Sequence, residues 1–253
     1  MRKLRVLYHV PCSTRYSAPR LRSGQASGII AVMFNGQGSM FHFYLVLKPL
    51  LFLLLYLTND TINTFMAPTR EEAFSLLKQY NKSESLIRHA LSVEAVMRHF
   101  ASIYNEDTEK WGIIGLVHDL DYEQYPDQHC TMTRKILEEE GWPEDYIRSI
   151  MSHGWGMCTD VEPVHIMEKV LYAVDELTGL ITASVLIRPS KSIFDLKVRS
   201  VKKKWKLKQF AAGANREIIE KGAVMMGRDL DYVIQETIDG MKTVAPDIGL
   251  AGS

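Results

Sequence analysis

The chain has 253 residues with 46% hydrophobic content and 30 residues of each charge sign, which suits a globular protein of one large domain or two small ones. The neutral total hides an asymmetry. Residues 1–65 hold seven Lys/Arg and one acid, leaving 23 basic and 29 acidic residues in 66–253, a net of −6 that argues against generic nucleic-acid affinity. The three cysteines, Cys12, Cys130 and Cys158, form neither a CxxC nor an even framework, so reduced thiols in a cytoplasmic setting are expected. Cys130 and Cys158 lie close in sequence to histidines and could serve as soft ligands, although free buried or half-buried thiols are the simpler reading.

Residues 1–40 are rich in Ser, Gly and Arg without a sustained period and read as disordered. Residues 41–57 (FHFYLVLKPLLFLLLYL) are an apolar run shorter than the roughly 20 residues of a membrane span, and Lys48 and Pro49 interrupt it. Residues 1–65 best fit a dispensable extension. An anchor or targeting segment is the second reading, and a part of the fold the third.

From Met66 the pattern becomes helical. MAPTREEAFSLLKQY offers Thr69 as a cap, acids at Glu71 and Glu72, and apolar spacing at Phe74, Leu76 and Leu77. SESLIRHALSVEAVMRHFASIY follows, capped by Ser83 or Ser85, with Leu86, Ala90, Val93, Val96, Met97 and Phe100 as its buried stripe. DTEKWGIIGLVHDL starts from Asp107 or Thr108, CTMTRKILEEE stops at Gly141, and PEDYIRSIMSH has Pro143 at its first position. The long apolar PVHIMEKVLYAVDELTGLITASVLI, the basic DLKVRSVKKKWKLKQFA and RDLDYVIQETIDGMKTV complete the series. No segment alternates long enough for a sheet. The expectation is an all-α single domain over 66–247, with 248–253 as a tail.

Several polar residues sit awkwardly on these helices. In order they are His89, the adjacent His118 and Asp119 closing an apolar run, His129, His153, and Asp175 inside KVLYAVDELTGLI. Any one histidine could be an ordinary core or surface residue, as His99 and His165 look to be. Asp175 is harder to place that way, because a carboxylate in an apolar helix needs a cation or strong donors. Mixed imidazole and carboxylate ligands suit divalent Mn, Fe, Co, Ni or Zn. The His118–Asp119 adjacency lets one helix end supply a nitrogen and a carboxylate able to bridge two ions about 3.5–4 Å apart. The alternative is a buried hydrogen-bonded His–Asp pair.

The ordered set H…HD…H…H…D, with WGIIGLVHDLDYEQYPDQH, DELTGLITASVLIRPSK and KKKWKLKQFAAGANRE, resembles the HD-domain superfamily of metal-dependent phosphohydrolases, over nearly all of 66–247. HDLDYE stands where many relatives carry His-Asp-Ile-Gly. The resemblance implies a helical bundle with a metal site in its core. His89, His118, Asp119 and Asp175 would hold a first divalent ion, and Asp119 would bridge to a second on His129 and His153. Binuclear relatives often have a further histidine where Gly154 stands here. Asp119, His118 and Glu123 become the expected catalytic residues, with Asp121 and Glu123 orienting ligands or carrying protons, or else simply exposed loop acids.

Arg188 and Lys191 flank a proline beyond the Asp175 helix and could grip a phosphate, or serve only as cations near a helix C-terminus. The 202–208 lysine run reads as a solvated face. The expected activity is hydrolysis of a small phosphomonoester or phosphodiester, nucleotides included, by activated water, with one or two divalent ions as cofactor. No nucleic-acid partner is expected, and no membrane association unless 41–57 anchors the chain. A non-catalytic metal- or nucleotide-binding sensor and a di-iron oxygenase of the same fold are the alternatives.

Overall fold

The computed structural model describes residues 67–252, which carry nine α-helices and two 3₁₀ turns. The expectations for 1–65, including the apolar run at 41–57, lie outside the described residues. The helices are α1 (Arg70–Tyr80), α2 (Glu84–Tyr104), α3 (Thr108–Val117), α4 (Thr131–Glu139), α5 (Glu144–Met151), α6 (Ile166–Leu186), α7 (Val198–Trp205), α8 (Arg216–Met225) and α9 (Leu230–Lys242). The turns are Pro126–Gln128, before α4, and Ser152–Gly154, after α5. Among the described residues β pairing is limited to two isolated bridges, Trp155 with Thr159 and Ser192 with Ala251. The all-α expectation is met, and no helix in this region is long and apolar enough to cross a membrane.

Local chemistry sets the helix starts. Thr69 caps α1 in a full capping box: its hydroxyl accepts from Glu72 N, and the Glu72 carboxylate accepts from Thr69 N at 2.8 Å. Asp107 caps α3 by accepting from the Glu109 and Lys110 amides. Pro143 is the cap of α5 rather than its first residue, which removes an amide that would have no partner.

The long helices α2 and α6, 21 residues each, form the centre. Helix α2 packs on α3, α6 and α9, while α6 also packs on α8. Most of the α2 stripe is buried as its spacing predicts: Ala90, Val93, Val96, Met97 and Phe100 are each at most 2% exposed, while Leu86 is half-buried. Close approach of α3 to α2 depends on Gly115, where an added Cβ would stand 2.8 Å from Met97 Cγ and 3.1 Å from the Val93 carbonyl. That contact draws the C-terminal end of α3 into the core, and His118 with it.

Three expectations need correction. The basic segment is helical only over α7, because the following turns fold round Arg216, whose guanidinium donates to the carbonyls of Trp205 and Ala214 at 3.0 Å each. Helix α8 had not been singled out. Its cap Asn215 accepts from Glu217 N and Ile218 N, and Ile218, Ile219, Gly222 and Ala223 turn inward. The segment after 247, expected as a tail, packs against the bundle: Ile248 and Leu250 are buried, and the Leu250 carbonyl accepts from Ile193 N at 2.8 Å.

Candidate metal centre

Five segments converge at the middle of the bundle. His89 comes from the second turn of α2, His118 and Asp119 from the end of α3, and Asp175 from the middle of α6. His129 precedes α4, and His153 lies in the turn after α5. The structure brings all six side chains together.

They fall into two donor sets that share one residue. In the first, His89 Nε2 lies 3.3 Å from His118 Nε2 and 3.1 Å from Asp175 Oδ1, and His118 Nε2 lies 3.3 Å from that same oxygen. Asp119 Oδ2 stands 3.4 Å from His118 Nε2 and 3.7 Å from His89 Nε2. The second set meets the other oxygen: Asp119 Oδ1 is 3.5 Å from His129 Nε2 and 3.4 Å from His153 Nε2, which are themselves 3.2 Å apart. Donors about 2.1 Å from one cation and 90–110° apart stand roughly 3.0–3.4 Å from each other. Most of the observed separations fall in that range, with the Asp119 oxygens slightly farther from His129 and His89, so the donor set fits a divalent ion in each position.

Orientation is set from behind. The Nδ1 of His118 donates to the Gly115 carbonyl at 2.8 Å, and that of His153 to the Ile150 carbonyl at 2.6 Å. His129 Nδ1 donates to Asp121 Oδ1 at 2.8 Å. Thr178 gives its hydroxyl proton to the Asp175 carbonyl, leaving its lone pairs to accept from His89 Nδ1 at 3.4 Å. With every Nδ1 occupied, each imidazole turns its Nε2 inward, the arrangement that metal-ligating histidines require.

Electrostatics concentrate here. Burial disfavours a charged His118, yet Asp119 and Asp175 outweigh it and hold the pKa well above the ordinary value. Burial also opposes charge on His129, but the bond to Asp121 and the field of Asp119 push it up to about 9. Asp119 and Asp175 are held well below the usual carboxylate range: burial works against ionisation, and His118 overcomes it in both. A buried site that keeps two carboxylates ionised beside four imidazole nitrogens suits a cation, which would take the place of the imidazole protons.

Other expected residues stand elsewhere. Glu123 is exposed, and its carboxylate accepts from the Lys82 and Ser83 amides at 2.6 and 2.9 Å, which ties it to the start of α2. Asp121 does the orienting: fully buried, it holds His129 with one oxygen and the Thr133 amide, at 2.8 Å, with the other. Arg188 and Lys191 are not brought to the cluster. At about 1.5 Å per helical residue, the eleven residues from Asp175 to Leu186 put the end of α6 some 16 Å away. There Arg188 forks onto Asp195, with Nη2 2.9 Å from Oδ2, and Lys191 is exposed with φ 46°. His99 pairs with Glu236 at 2.7 Å, and His165 caps α6.

Glu176 escaped the sequence reading. It is buried beside Asp175, accepts from Asn215 N at 3.0 Å through Oε2, and leaves Oε1 without a hydrogen-bond partner. Burial, then the charge of Asp175, push its carboxyl up to about 8. An acid next to Asp175 in an apolar helix was the available signal. Tyr122 sets its ring edge-on to His129, and burial followed by Asp119 raises its hydroxyl to about 12.

Residues 86–181 match the family model described as HD domain, a span that contains all six clustered side chains. No curated protein and no solved structure gave a significant match.

Proposed function

Because this chain belongs to the HD-domain superfamily, we propose that it is a metal-dependent phosphohydrolase acting on a small phosphomonoester or phosphodiester, nucleotides included. The observation that carries the reading is Asp119, whose two oxygens face two different donor sets. Divalent ions held there would supply an activated water and neutralise charge on the phosphoryl oxygens.

In this reading His89, His118, Asp119 and Asp175 form the first position, and Asp119, His129 and His153 the second. The chain's own contribution is preorganisation. Backbone carbonyls, Thr178 and Asp121 fix the four imidazoles before substrate arrives, and burial keeps bulk water from weakening their field. Of the expected catalytic residues, His118 and Asp119 act here as ligands, and of the two acids considered for orienting ligands, Asp121 takes that role and Glu123 does not. A small substrate is favoured over nucleic acid because residues 66–253 carry a net charge of −6, and two lysines of the basic run are already engaged: Lys202 pairs with Asp231 at 2.6 Å, and Lys204 lies over the Phe210 ring.

The test is elemental analysis of the full chain purified without chelator, followed by turnover of p-nitrophenyl phosphate and bis(p-nitrophenyl) phosphate. Expected are up to two equivalents of divalent metal and a phosphoesterase activity that chelation abolishes. Failure to take up metal on reconstitution would sink the proposal. So would two equivalents of iron accompanied by O₂ uptake and no phosphoester turnover.

A further inference from the structure

Two sulfur atoms stand beside the cluster, close enough to His129 to form a third possible donor group with it. Cys130 is fully buried directly after His129, with a left-handed backbone (φ 66°), and Cys158 is half-buried in the turn that follows His153. Their Sγ atoms are 2.6 Å apart, and both residues are free thiols. They also fill the space beside Gly154: a Cβ there would lie 2.7 Å from Cys130 Sγ and closer still to Cys158 Sγ.

Geometry decides between two uses of such a pair. Thiolates sharing one tetrahedral ion at about 2.3 Å each stand roughly 3.8 Å apart, far wider than these sulfurs. A disulfide needs about 2.05 Å, a further approach of about half an ångström. We propose that Cys130 and Cys158 are a modification site, a dithiol that converts reversibly to a disulfide when the chain meets a peroxide. The oxidant reaches Cys158 first, because Cys130 has no exposed surface. Cys158 sulfur attacks a peroxide oxygen, the O–O bond breaks, and a sulfenic acid and one water form. Cys130 sulfur then attacks Cys158 sulfur, the S–O bond breaks and a second water leaves. Two thiols lose two electrons, and hydrogen peroxide is reduced to two waters. The bond links the start of α4, next to His129, to the turn after His153, so it clamps both segments of the second donor set. The cross-link itself needs no metal, so its failure and the failure of the phosphohydrolase reading are separate results.

The experiment treats the reduced full chain with hydrogen peroxide, blocks remaining thiols by alkylation, and maps peptides under non-reducing conditions. Expected are a Cys130–Cys158 linked peptide, a fall of two in the thiol titre that dithiothreitol reverses, and a higher thermal midpoint for the oxidised chain. Cys130→Ser is expected to fold and to accumulate a dimedone-reactive sulfenic acid at Cys158, whereas Cys158→Ser leaves Cys130 unmodified. An unchanged titre, or over-oxidation of Cys158 without the linked peptide, would overturn the proposal. Binding of an extra equivalent of zinc that protects both thiols would overturn it too, assigning the pair to a metal.

Discussion

Replacing Asp119 by asparagine is the most informative single perturbation of the centre. The amide keeps the shape of the carboxylate but has one oxygen and one NH₂. It can therefore present a lone pair to only one of the two donor sets that Asp119 now faces, at 3.4–3.7 Å on one side and 3.4–3.5 Å on the other. The first position still has His89, His118 and Asp175, while the second is reduced to two imidazoles. Removing one charge from a buried ionic assembly costs about 3–5 kcal/mol, and each 1.4 kcal/mol is tenfold in affinity, so binding should weaken by roughly two to four orders of magnitude. The expected outcome of D119N is loss of the second equivalent and a first that a chromophoric chelator strips easily. The assay is elemental analysis combined with chelator competition, with circular dichroism to show that the helical fold is kept. A folded variant that keeps two equivalents at unchanged affinity would refute the bridging role.

Asp121→Asn removes the charged partner of His129 and should weaken only the second equivalent, by about 10–100-fold, in the same competition assay. In the metal-free protein the carboxylates around them raise the pKa of His118 and push that of His129 up to about 9, so metal loading competes with protons for these nitrogens. Calorimetric heats of loading should then vary with buffer ionisation enthalpy and show affinity rising with pH; buffer-independent heats would contradict this. Chelation should lower the thermal midpoint, since an ion held at 100 times its Kd contributes about 2.7 kcal/mol to the folded state. Gly115→Ala forces a methyl against Met97 and the Val93 carbonyl and should cost about 1–3 kcal/mol in chemical denaturation, with metal affinity falling as His118 is displaced.

Most helices were legible because their caps and apolar spacing agree, as in α1, where Thr69 and Glu72 form the box that the order Thr-Arg-Glu-Glu invites. Helix α8 was obscured by the basic segment before it, whose helical pattern runs on past Trp205. What ends α7 is tertiary: Arg216 gathers the carbonyls of the following turns, and no local signal announces that. The candidate ligands could be picked out because each is a polar residue interrupting an apolar pattern. Of their supports, Asp121 was open to reading as an orienting acid, whereas Thr178 looks like an ordinary helix residue until the fold sets it behind His89. The error over Arg188 is one of distance: beyond the end of α6, eleven residues of rigid helix separate it from Asp175.

The question of why His118 and Asp119 adjoin at the end of an apolar helix has a physical answer. A helix leaves its last carbonyls without intrahelical donors, a costly state in a buried core. Helix α3 ends in the core, and His118 relieves it by donating Nδ1–H to Gly115 O; His153 does the same for Ile150 O at the end of α5. In both cases the bond that satisfies the helix end also fixes the tautomer and turns Nε2 towards Asp119. Replacing either histidine with glutamine would therefore disturb a helix terminus as well as a donor set. His89 and His129 are held by side chains instead, so His89→Gln or His129→Gln should lower metal content with less loss of stability than His118→Gln or His153→Gln. Equal stability losses across the four variants, measured in the metal-free state, would show that the helix-end bonds contribute little and that the imidazoles are oriented by packing alone.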